Sequence, residues 1–132
     1  WSRLVGSEMC IRDRNNNITK LKNVLKLGHL DEFINITESE ALMIHSLMLT
    51  SSPYFILMKP NTLEVIQRIL QYRRETKNPV CFSLDAGSNV HLLYPNKIKP
   101  EVQKFIEDEL LNFCKSKTCI LDSLGNGSEK IK

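Results

Sequence analysis

No apolar run in this chain reaches the roughly 18 residues that a membrane-spanning helix needs, and charges break up every segment. That excludes a helical membrane span. The first residues hold no apolar h-region and no small-residue cleavage site, so they do not read as a secretory signal. Charge of one sign is scarce as well. The formal net charge is +3 and the lysines are scattered, so no basic stretch offers itself to nucleic acid. The four cysteines include no Cys-x-x-Cys pair, and His29, His45 and His91 share no ligand spacing, so no metal site is expected. The five glycines form no glycine-rich loop opening a helix, the usual cradle for phosphates.

What is present is enough for one packed domain: 132 residues, 42% hydrophobic and 25% charged. Trp1 to Arg14 stands apart. It begins without methionine and shows neither helical nor strand periodicity, and Leu4 to Arg14, LVGSEMCIRDR, resembles the conceptual translation of a sequencing adapter. Residues 1–14 are therefore expected to be a non-native scar, and 15–132 the domain. Setting aside Arg3, Arg12, Arg14, Glu8 and Asp13 lowers the net charge from +3 to +2. Three cysteines then remain, Cys81, Cys114 and Cys119. An odd count points to reduced thiols and a cytoplasmic location. A scar at the front implies a reading frame cut at that point, hence a fragment that exposes apolar surface where a missing domain would dock.

Along the rest, apolar residues at Leu21, Val24, Leu25 and Leu27 stop at Gly28 and predict a short first helix. Leu30, Ile34, Ala41, Ile44 and Met48 form the stripe of a second, ended by Thr50-Ser51-Ser52-Pro53. After a short apolar run from Tyr54 to Met58, Asn61 and Glu64 have capping-box spacing. The third helix behind them carries Val65, Ile66, Ile69 and Leu70, with Arg73 and Arg74 set toward solvent and the helix dipole. The period then becomes two. Val80, Phe82 and Leu84 alternate with Cys81, Ser83 and Asp85, and Val90 to Tyr94 returns after Ala86-Gly87-Ser88-Asn89, with Gly87 expected to supply positive φ. Pro100 opens a fourth helix bearing Val102, Phe105, Ile106, Leu110 and Phe113, and Cys119 to Leu124 reads as a last strand before Gly125-Asn126-Gly127. The fold class expected is α+β, helices packed on an antiparallel sheet.

Few residues suggest chemistry. His45 beside an apolar stripe reads as a packed histidine, His91 as a surface one, Met43, Met48 and Met58 as core filler, and Cys114 and Cys119 as inert thiols. Asp85 differs in kind. It ends an apolar strand and opens a tight turn, where a carboxylate can meet a substrate while glycine lets the backbone approach. An Asx-turn cap explains the same residue, and spacing alone favours that plainer account.

The run Phe82-Ser83-Leu84-Asp85-Ala86-Gly87-Ser88-Asn89-Val90-His91 resembles the third signature region of the diphosphomevalonate decarboxylases, in the GHMP kinase superfamily. The pattern there is aromatic-x-x-Asp-Ala-Gly-x-Asn. Ile44 to Pro53 and Ile120 to Gly127 are similar to the family's preceding helix end and closing strand, so the resemblance covers about Ile18 to Ser128. Ser88 departs from the proline or alanine common at its position. The resemblance implies the ferredoxin-like C-terminal domain of that superfamily, with Asp85 as the catalytic aspartate and the backbone of Ala86 and Gly87 lining the site. It further implies 5-diphosphomevalonate as substrate, ATP and Mg2+ in the intact enzyme with none held by this fragment alone, and a homodimer as in relatives. The family's phosphate loop, substrate-binding lysine and catalytic arginine lie upstream of the matching segment. A mevalonate-branch kinase that does not decarboxylate, and a non-enzymatic α+β interaction module, remain the alternatives.

Overall fold

The computed structural model describes residues 2–125, with side chains from Asn15 onward. Helix α1 (Ser2–Leu27) is far longer than the short helix its apolar spacing predicts, and runs back through the segment in which no periodicity is evident. It stops where expected. Gly28 takes a φ of 72°, the left-handed value that a side chain resists, and its N–H donates to the Val24 carbonyl at 2.9 Å. Helix α2 (Leu30–Leu49) follows, and its buried residues are Ile34, Ala41 and His45. Ile44 and Met48, expected on the buried stripe, are only half-buried, because the centre of the packed face lies on His45.

Helix α3 (Pro60–Thr76) starts ahead of the predicted cap. Lys59 is the residue before the helix, Pro60 occupies its first turn, and Thr62 Oγ1 accepts the Lys59 N–H at 3.1 Å. Asn61 instead sends its amide to the Phe113 carbonyl at 3.0 Å. Strand β1 (Cys81–Leu84) pairs antiparallel with β2 (Val90–Leu93), with Phe82 opposite Leu92 and Leu84 opposite Val90. Helix α4 (Lys99–Phe105) has its proline in the first turn and continues as a π-helical turn (Ile106–Leu110) and a 3-10 turn (Leu111–Phe113).

The core forms between α3, α4 and the hairpin, around Ile69, Val80, Phe82 and Val102, and the Tyr72 ring stacks on Phe105 at 4.1 Å. The architecture is α+β, with helices packed on an antiparallel sheet, and the sheet among the described residues has two strands. The expected last strand is absent. Residues 119–125 are irregular and Ile120 and Leu124 are fully exposed. An apolar segment becomes a strand only by pairing, and on β1 the Phe82 N–H is already taken by the Glu38 side chain. Trp1 and residues 126–132, which include Asn126, Gly127 and Ser128, lie outside the described residues. Tyr54, Phe55 and Ile56 form an exposed apolar run after α2. No described helix is long and apolar enough to cross a membrane.

Candidate active site

Helix α2 lies alongside β1 in a matched register. Glu38 meets β1 at Phe82, whose N–H donates to Glu38 Oε1 at 3.3 Å, and His45 meets the strand's end at the Asp85 carbonyl, 3.0 Å from Nε2. Seven helical residues advance about 10 Å, and so do three extended ones. Seven residues are also close to two full turns, so Glu38 and His45 share a face. The spacing in α2 thus brings two polar side chains to two points of one strand.

Arg73 completes the seal on that edge. Its Nη1 and Nη2 donate to the two carboxylate oxygens of Glu38 at 2.7 and 3.1 Å, and Nη1 also donates to the Val80 carbonyl at 2.9 Å. Its position toward solvent near the helix end, as expected from sequence, is therefore corrected; only Arg74 is exposed. The Glu38 hydrogen bond holds the Arg73 guanidinium above its ordinary pKa against the opposing effect of burial. Burial, with a smaller contribution from Glu38, pushes the Cys81 thiol up to about 12. Cys81 is inert there, whereas Cys119 is exposed.

The hairpin turn from Asp85 to Asn89 is gripped from below by two helices. His45 of α2 and Thr62 of α3 are the buried polar side chains of the described residues, each 3% exposed. Since a carbonyl only accepts, His45 Nε2 carries the proton and donates to Asp85 O. Thr62 Oγ1 donates to Ser88 O at 2.9 Å. Above them the Asp85 side chain is 43% exposed. Its Oδ2 accepts the Asn89 amide at 3.1 Å and stands 3.9 Å from His91 Nε2. Among the described residues no backbone N–H of the turn donates to this carboxylate, so the hydrogen bonds of an Asx-turn cap are not made. Asn89 orients the group instead.

Gly87 is not in the left-handed region, contrary to the reading of its sequence position. What it supplies is room: a Cβ there would meet Asp85 Oδ1 at 3.0 Å. Ala86 is exposed beside it. The structure thus keeps Asp85, Ala86 and Gly87 on one solvent-facing turn. It adds His45, Thr62 and Asn89, to which sequence spacing assigned no role. The signal for His45 was its place four residues after Ala41 and eleven after Ile34, on the packed face of α2.

Two shallow clefts among the described residues, one at Asn17, Leu21 and Glu40 and the other at Asp31, Ile34 and Arg73, include no residue of the turn. Among the described residues no cluster of three His, Cys, Asp or Glu side chains could hold a metal ion. The helices that follow the turn and precede it begin without a glycine-rich loop. These residues by themselves do not fit a magnesium–nucleotide complex.

The family model described as the mevalonate 5-diphosphate decarboxylase C-terminal domain matches residues 6–129. No curated protein matches by sequence. Among solved structures, mevalonate diphosphate decarboxylase from Staphylococcus aureus matches with a TM-score of 0.71 at 20% identity, over 78% of this chain and 31% of that one. The enzyme from Legionella pneumophila matches with a TM-score of 0.66 at 28% identity, over 72% of this chain and 30% of that one. For the enzyme from Enterococcus faecalis the TM-score is 0.67 at 23% identity, over 72% and 29%. A further match, MDDEF, is a complex with MVAPP, AMPPCP and magnesium. The chain spans less than a third of each of these proteins.

Proposed function

The chain belongs to the mevalonate 5-diphosphate decarboxylase C-terminal domain family, and on that premise we propose that it supplies the catalytic carboxylate of an ATP-dependent decarboxylase. The substrate is 5-diphosphomevalonate. Its tertiary 3-hydroxyl is phosphorylated, and loss of phosphate and carbon dioxide leaves isopentenyl diphosphate. Asp85 accepts a hydrogen bond from that hydroxyl and takes its proton, while exposed Ala86 and the missing side chain of half-buried Gly87 let the substrate come close to the turn's backbone. The observation that carries this reading is an exposed carboxylate oriented by Asn89, on a turn whose backbone is fixed from beneath.

An aspartate is a weak base toward an alcohol. In a loose phosphoryl transfer the proton leaves late, so holding the hydroxyl in line matters more than basicity. The nucleotide and Mg2+ are held by residues other than those described, and the chain by itself is inactive. Trp1 to Arg14 contributes nothing to the chemistry.

The test is carbon dioxide release from diphosphomevalonate with ATP and Mg2+, using the longest reading frame that carries this chain. Asp85→Asn should lower kcat by roughly 10²–10⁴ with an unchanged melting temperature. Phosphorylated product without carbon dioxide would replace this reading with the kinase. Undiminished turnover in Asp85→Asn would remove Asp85 from the mechanism.

A further inference from the structure

Two buried polar side chains from different helices, His45 and Thr62, both end on carbonyls of one five-residue turn. A buried hydroxyl or imidazole is costly unless it is hydrogen-bonded, and an apolar side chain of like size serves packing equally well. We infer that His45 and Thr62 are positioning residues for Asp85, a two-point clamp that acts through the turn's backbone. The inference rests on the role proposed for Asp85.

The geometry gives each pin a distinct effect. His45 holds Asp85 O at 3.0 Å and so fixes the peptide plane that follows the aspartate. Thr62 holds Ser88 O at 2.9 Å and fixes the peptide that leads into Asn89. Asn89 Nδ2 in turn donates to Asp85 Oδ2 at 3.1 Å. Both partners of the carboxylate–amide bond therefore stand on backbone anchored from the core. Releasing either pin lets the Asp85 carboxylate swing against its partner. Thr62 also accepts the Lys59 N–H, so its own hydroxyl is oriented by the start of α3. The clamp is built from two rigid helices rather than from loops, which suits a group that must be placed to a fraction of an ångström.

The decisive experiment pairs removals with conservative replacements. His45→Leu and Thr62→Val delete the donors, whereas His45→Gln and Thr62→Ser keep one. In the enzyme assayed for carbon dioxide release, the deletions should lower kcat about 10- to 100-fold with KM within about twofold, and the conservative variants should recover most of the loss. In an Asp85→Asn background the same deletions should cost less than about twofold, because no carboxylate remains to place. A merely architectural role would give the same loss in both backgrounds. Should His45→Leu fail to fold, Thr62→Val carries the same test.

A second measurement stands apart from catalysis. In the 132-residue chain, backbone order parameters of Ala86 to Asn89 should fall from about 0.85 to below about 0.6 in the deletion variants, with α3 beyond its first turn, from Val65 to Arg73, unchanged. Unchanged order parameters overturn the clamp itself. If instead the turn loosens but Asp85→Asn turns over normally, the clamp stands and the role proposed for Asp85 fails. Full kcat in a folded deletion variant overturns positioning.

Discussion

Gly87→Ala separates the placement of the carboxylate from the stability of the fold. The added Cβ would lie 3.0 Å from Asp85 Oδ1, against the 3.4 Å at which ordinary contact begins. The carboxylate must therefore move by roughly 0.4 Å, and the end of a side chain can do so cheaply. Because Gly87 is outside the left-handed region, alanine meets no backbone strain there. A stiffer unfolded chain favours alanine by about 0.4–1 kcal/mol, and a loosened Asn89 bond costs about as much. The melting temperature should stay within a few degrees. If a 1 Å misplacement lowers turnover about 100-fold, a shift of roughly 0.4 Å lowers it about sixfold. Steady-state carbon dioxide release gives kcat and KM, and calorimetry gives the melting temperature. Wild-type kcat would refute the claim that the position of Oδ1 matters. A fall in melting temperature beyond about 10 °C would instead mean that the turn's backbone requires glycine.

Other consequences concern the edge of β1. Arg73→Leu should destabilise the chain by about 3 kcal/mol in urea titrations, the low end for a buried pair because Arg73 is 26% and Glu38 13% exposed. Adding Glu38→Leu should cost less than the two single changes together, and a single loss below about 1 kcal/mol would demote the pair to an ordinary surface contact. Cys81 gives a pH dependence. Its folded thiol, pushed up to about 12, keeps its proton while the unfolded thiol loses it above about 9. The unfolded state then binds fewer protons, so stability falls as pH rises through that window, by about 1.4 kcal/mol at pH 10. Cys81→Val should remove this part of the slope, and an identical pH profile would count against it.

Sequence periodicity located the helices and the hairpin because their apolar residues repeat at 3.6 and 2.0. Gly28, Pro100 and the Thr50–Pro53 breaker marked ends that the structure keeps. What periodicity could not show was tertiary. Whether Cys119–Leu124 pairs depends on an available edge, and the length of α1 is not written in any apolar stripe. At the turn, the exposed place of Asp85 after β1 was legible from the change to alternating apolar residues and the Ala86-Gly87 turn that follows. His45 was not, because a histidine on an apolar face looks the same whether it fills space or donates to a carbonyl forty residues away. Thr62 was hidden by the stronger capping pattern of its neighbour Asn61. Gly87 was noticed for its flexibility, whereas the structure needs its missing side chain.

The matched register of α2 and β1 also restricts how this part of the chain can vary over generations. One residue inserted between Glu38 and His45 would rotate the helix face by about 100°, so Glu38 and His45 could no longer both reach the strand. Homologous chains should therefore keep that interval at seven and place their insertions in the irregular connection between α2 and α3, where residues 51–57 are largely exposed.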